Sequence, residues 1–218
     1  MQRLRLKFSR GEEVKFLSHL DLMRLWERAL RRAGLFLAYS EGFTPHPRIS
    51  LAAPLPVGIT SQAELMDVFL SRWVSPYSFI TQVRKQLPQG IDLLEAWPVG
   101  LSIPSVQSQV RFAEYKVEVE VEKGSRELEL ALRSLLSTKE LPWHHFRDTE
   151  ARYYDLRALV DDLWLIDCHD SLCALGMRLR CDASSAGRPE QVVKALGLSQ
   201  HPKSIHRTKL ILSSTKFG

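Results

Sequence analysis

Two histidines and a set of arginines are the residues of this chain whose types and spacing could do chemistry. His46 stands in Pro45-His46-Pro47-Arg48, between two prolines that hold the backbone extended. An imidazole presented rigidly beside a guanidinium suits phosphate binding or acid–base work. It equally suits a local hydrogen bond that stabilises the loop. His19 follows Ser18 at the first position of a predicted helix. There the positive helix end favours a neutral imidazole that can accept a proton, or one that simply caps or packs. Arg24, Arg28, Arg31 and Arg32 recur at spacings of three and four on that helix. They form either a solvated face or a row able to track a phosphate backbone. Tyr39 and Phe43 are aromatics that could stack on unpaired bases if exposed, whereas Phe16 is expected in the core.

Positioning these groups falls to elements that the pattern announces. Residues 3–8 alternate polar and apolar, as in a half-buried strand. Ser18, with Asp21 three residues on, opens a helix that runs to Ala33 and stops at Gly34. Leu22, Leu25, Trp26, Ala29, Leu30 and Ala33 make its apolar face. Strands are predicted at 35–40, 47–53 and 63–71, a helix at 76–87 and a strand at 91–97. Strand, helix, strand, strand, helix, strand is the order of a ferredoxin-like unit. Residues 98–111 have linker composition. A strand at 112–121, a helix at 125–137, strands at 141–146, 151–157, 162–169 and 172–181, a helix ending near Leu196 and a strand at 203–212 follow. The expected class is α+β. Two ferredoxin-like halves stand in tandem, 1–100 and 110–218, the second with an extra strand or hairpin.

The stretch 39–58 holds Pro45, Pro47, Pro54 and Pro56 with Gly42 and Gly58, in a run that otherwise alternates like a strand. Proline removes a ladder donor, so this segment gives up regular pairing for stiffness. Stiff irregular loops are a usual place for function.

The 218 residues are 44% hydrophobic and 25% charged, ordinary values for a globular protein. The net charge of +5 gathers at the two ends. Arg3, Arg5, Lys7, Arg10 and Lys15 join the helix arginines at one end, and Lys203, Arg207, Lys209 and Lys216 lie at the other. An anionic partner is expected, either RNA or an acidic protein surface. No run approaches the ~18 apolar residues of a membrane span, so a cytoplasmic protein without a membrane partner is expected. Cys168, Cys173 and Cys181 are odd in number, which argues against a disulfide framework, and their spacing fits no metal knuckle. They are expected as core or surface thiols. There is no Gly-rich phosphate loop, nucleophile elbow or zinc signature. No cofactor, metal or catalytic residue is assigned.

The motifs Phe16-Leu17-Ser18-His19-Leu20-Asp21 and Tyr39-Ser40-Glu41-Gly42-Phe43-Thr44-Pro45-His46-Pro47-Arg48-Ile49-Ser50 closely resemble the radical-SAM-linked protein family. The likeness extends to Leu55-Pro56-Val57-Gly58, Tyr154-Asp155-Leu156-Arg157, Arg188-Pro189-Glu190 and Ile205-His206-Arg207-Thr208. This is a bacterial domain found alone or attached to a radical SAM protein, and encoded beside the endoribonucleases RNase E and RNase G. The resemblance implies a role in RNA processing. The expected function is non-catalytic, namely binding and inhibiting RNase E/G through its catalytic region. The alternatives are an RNA-binding module that recruits substrate for a radical SAM enzyme, and a metal-independent ribonuclease using His46 or His19 with Tyr39. Binding, to partner or RNA, is assigned to Arg24, Arg28, Arg31, Arg32, Tyr39, Phe43, His46 and Arg48.

Overall fold

The computed structural model describes residues 1–121, 124–147, 150–198 and 201–213; Lys216 lies outside them. The chain divides into two compact units, Met1–Val110 joined by Leu212, and Arg111–Ile211. The class is α+β, and no helix is long and apolar enough to cross a membrane among the described residues.

The first unit contains β1 (Gln2–Arg10), α1 (His19–Arg32), β2 (Ile49–Leu51), β3 (Thr60–Leu70), α2 (Pro76–Arg84), β4 (Ile91–Pro98) and α3 (Val106–Gln109). Its strands lie in the order β4-β1-β3-β2, every neighbouring pair antiparallel. Leu4, Leu6 and Phe8 alternate along β1 and are wholly buried with Trp26, Leu22 and Leu30 of α1. Phe8 meets Trp26 edge to face at 4.9 Å. The start of α1 is the predicted box. The Ser18 hydroxyl accepts from the Asp21 N–H at 3.2 Å and donates to the Asp21 carboxylate at 2.7 Å. Gly34, at φ +71°, ends the helix in a conformation that costs a side chain most.

Three expectations are corrected in this unit. Residues 35–40 form no strand; an isolated bridge joins Leu37 to Leu70 of β3, and another joins Tyr39 to Pro47 within the loop. Residues 98–111 are not a loose linker, because they carry α3, whose Val106 and Gln109 are buried. The polar side of β1 is more covered than expected. Arg3 and Arg5 are buried, since 103–109 bind back over β1, while Lys7 stays partly exposed; Arg10 is buried as well, donating to the Val14, Lys15 and Leu17 carbonyls.

The second unit contains β5 (Val110–Glu120), α4 (Ser125–Ser137), β6 (Pro142–Arg147), β7 (Glu150–Asp155), β8 (Val160–His169), β9 (Leu172–Arg180), α5 (Pro189–Ala195) and β10 (Ser204–Leu212). Four strands run in the order β10-β5-β9-β8, and β6 and β7 pair as a separate hairpin. Val117, Val119, Leu175, Met177 and Leu179 alternate into its core with Leu128 and Leu132 of α4. Cys168 and Cys173 are joined as a disulfide, which overturns the expectation of thiols. The reason is register. The two stand opposite each other on β8 and β9 with Cα atoms 4.1 Å apart. Cys181 is buried and outside the disulfide.

Candidate functional site

The exposed face of α1 is split in two by helical geometry. Residues four apart advance about 40° around the helix and about 6 Å along it. Arg24, Arg28 and Arg32 thus form a slanting row. With Leu17, Asp21, Leu25 and Pro88 they line an open groove of about 460 Å³. Asp21 is the one acid in it and lies 3.6 Å from Arg24. Arg32 donates to the Gln86 carbonyl at 2.9 Å. Arg28 is exposed. Arg31 points elsewhere. It pairs with Glu27 at 2.8 Å and donates to the Tyr39 hydroxyl at 3.0 Å, its guanidinium 5.9 Å from the Tyr39 ring centre. The four arginines of the sequence are therefore three groove residues and one brace.

That brace holds the base of the Pro-rich loop. The Ser40 N–H donates to the His46 carbonyl at 2.8 Å, and the His46 N–H donates to the Ser40 hydroxyl at 3.0 Å. The loop is thus clamped at residues 40 and 46, and Gly42 at φ +127° supplies a turn that a side chain would strain. His46 contributes to the clamp through its backbone, and its side chain is exposed. At the tip the Phe43 ring is fully exposed, at 111%. Arg48 leaves the loop for the sheet. Its guanidinium lies 4.2 Å from the Phe69 ring centre and 3.3 Å from the Met1 sulfur. His46 and Arg48 are close in sequence but do not share a target.

Phe16 is the residue the sequence misplaced. It is 72% exposed rather than buried. Gly58 donates its N–H to the Lys15 carbonyl at 2.8 Å, which brings 57–58 against 15–16, and a Cβ on Gly58 would lie 4.0 Å from the Phe16 ring. Leu20 and Val57 are also exposed here. A signal was available, because Phe16 lies just outside the helix whose periodicity defines the core face. Trp73 and Tyr77 are a further exposed aromatic pair that sequence reading passed over.

A second depression, of about 350 Å³, lies in the other unit and is lined by Arg111, Asp161, Arg180 and Asp182 among others. Its charges answer one another. Arg180 is 2.5 Å from Asp182, and Asp161 is 3.3 Å from Arg178. Among the described residues no group of three or more His, Cys, Asp or Glu could hold a metal ion.

The geometry is that of an α+β chain with a basic groove and a clamped aromatic loop. The chain belongs to the family described as an uncharacterized protein conserved in bacteria (DUF2344), whose model matches residues 3–189. No curated protein matches it by sequence. In fold it is similar to a chain of a Cbf5–Nop10–Gar1 complex, with TM-score 0.53, 9% identity, and coverage of 96% of this chain and 48% of that one. An H/ACA RNP bound to a substrate RNA containing 2'-deoxyuridine contains a chain with TM-score 0.47, 10% identity and coverage of 96% and 47%. An archaeal box H/ACA sRNP Nop10–Cbf5 complex gives 0.45, 10%, 96% and 48%. The chain spans about half the length of these chains.

Proposed function

We propose that this is a non-catalytic protein of RNA metabolism that binds the catalytic region of RNase E/G and inhibits it by obstructing RNA access. The reading combines the resemblance carried by residues 16–21 and 39–50 with one structural observation. Phe43 is held fully in solvent at the tip of a loop pinned by two hydrogen bonds between residues 40 and 46. Exposed aromatics on pre-ordered loops bind at low entropic cost and make dominant contacts in protein interfaces. We read each unit as ferredoxin-like, which the matching orders β4-β1-β3-β2 and β10-β5-β9-β8 support, with β6–β7 as the inserted hairpin of the second.

The test is capture of the purified RNase E catalytic region by the purified chain, with RNA cleavage followed in parallel. A complex at micromolar concentration and slowed cleavage are expected. Absence of a complex at that concentration would remove the reading.

A further inference from the structure

We propose that the groove along α1 is a separate binding site for a single-stranded polynucleotide, in which Arg24, Arg28 and Arg32 meet successive phosphates and Phe16 stacks on a base at the end nearest Leu17. The inference does not rest on the nuclease reading, and Arg31, held by Glu27 and Tyr39, takes no part in it.

Charge is the first argument. The groove presents three guanidinium groups against one carboxylate. Asp21 is already engaged by the Ser18 hydroxyl at 2.7 Å and by Arg24 at 3.6 Å. The remaining lining, Leu17, Leu25 and Pro88, is apolar and adds no acid. An acidic peptide would also answer this charge. The exposed aromatic beside the row favours the polynucleotide, whose bases a ring can stack on. The row is regular, about 6 Å per step along the helix, which suits a chain carrying one charge per unit at a constant interval.

The second argument is the aromatic. Leu17 lines one end of the groove, and Phe16 precedes it with its ring in solvent. A Cβ on Gly58 would lie 4.0 Å from the ring, and Lys15 Nζ lies 5.3 Å from its centre. An aromatic so placed can stack on a base that has left its neighbours. The bases of a duplex are already stacked on one another and are closed to such a contact. The site therefore selects a single strand.

Arg31 is an internal control. It sits on the same exposed helix face, but Glu27 and Tyr39 hold it away from the groove.

The experiment is fluorescence anisotropy of the full chain with a short labelled oligouridylate, the deoxy oligomer of the same length and a duplex, over a salt series. Three phosphate contacts predict a slope of log affinity on log salt of about −2 for the single strands. Arg28→Ala should weaken binding roughly tenfold and flatten the slope by about 0.7, whereas Arg28→Lys keeps most of both. Phe16→Ala should weaken binding roughly tenfold and leave the slope unchanged, since stacking releases no counterion. Arg31→Ala should stay within about twofold of the parent. All three side chains are exposed, and circular dichroism checks that each of the four variants folds. Equal or tighter binding of the duplex, a flat salt response, or parental affinity in Arg28→Ala and Phe16→Ala would overturn the proposal. Preference for the ribo- over the deoxyoligomer, or equal binding of both, supports it.

Discussion

Arg5 grips both carboxylate oxygens of Asp67, with Nε 2.8 Å from Oδ1 and Nη2 3.1 Å from Oδ2. Arg3 donates to the same carboxylate, and the Val106 N–H does so at 2.9 Å. All three charged side chains are buried. The carboxylate thus stitches β1 to β3 and to the segment that carries α3. Arginines that read as surface charge in the sequence are structural in the fold.

Asp67→Ala leaves two guanidinium groups buried without their counter-charge. Breaking one side of such a network costs about 3–5 kcal/mol. Equilibrium denaturation should show that loss. A change under about 1 kcal/mol would mean the network is open to water.

Phe43→Ala should weaken capture of the RNase E catalytic region by roughly thirtyfold, the size of a 2 kcal/mol interface anchor. The melting temperature should not move, because the ring touches no core. A drop in stability without a change in capture would assign Phe43 to folding instead.

Gly176 stands opposite Trp164 in the β8–β9 ladder, and a Cβ there would fall 1.9 Å from the indole. Gly176→Ala must push the ring aside, at a cost of about 1–3 kcal/mol. Thermal melting reads the loss, and near-ultraviolet circular dichroism reads the displaced indole. An unchanged melting temperature would contradict the close packing.

The Asp182 carboxyl is held well below the usual carboxylate range, first by the Ser184 hydroxyl at 2.6 Å and then by Arg180 at 2.5 Å, with the Ser184 and Ser185 N–H groups adding to this. A depressed folded-state pKa contributes stability above the unfolded value and loses it as pH falls through the folded one. The stability gap between the parent and Asp182→Asn should be constant above about pH 5 and should shrink below about pH 4. Melts across that range check it; a gap that ignores pH would exclude the linkage.

Much of the local structure was legible because its causes are local. Ser18 and Asp21 cap α1 from three residues apart, Gly34 ends it, and Pro76 and Pro189 open α2 and α5. The candidate site was legible only in part. The arginine spacing identified a helix face but not its division, because Arg31 is drawn off by Tyr39, a residue beyond the end of the helix. The stiffness of 39–58 was evident from its prolines. That Phe43 stands free at the tip while Arg48 turns to Phe69 was not.

The sequence by itself determined most of the helices and strands and the capped start and stop of α1, though not the bridge-only stretch at 35–40 or α3, and that both ends of the chain are basic. Local propensity, capping and periodicity act within a few residues, so a linear reading captures them. Tertiary structure alone decided which of those charges meet solvent. Arg3 and Arg5 are covered by residues a hundred positions away, and Phe16 stays exposed although 57–58 comes back against 15–16. Cys168 and Cys173 became partners through strand register. Burial depends on what returns from distant parts of the chain, and periodicity carries no record of that.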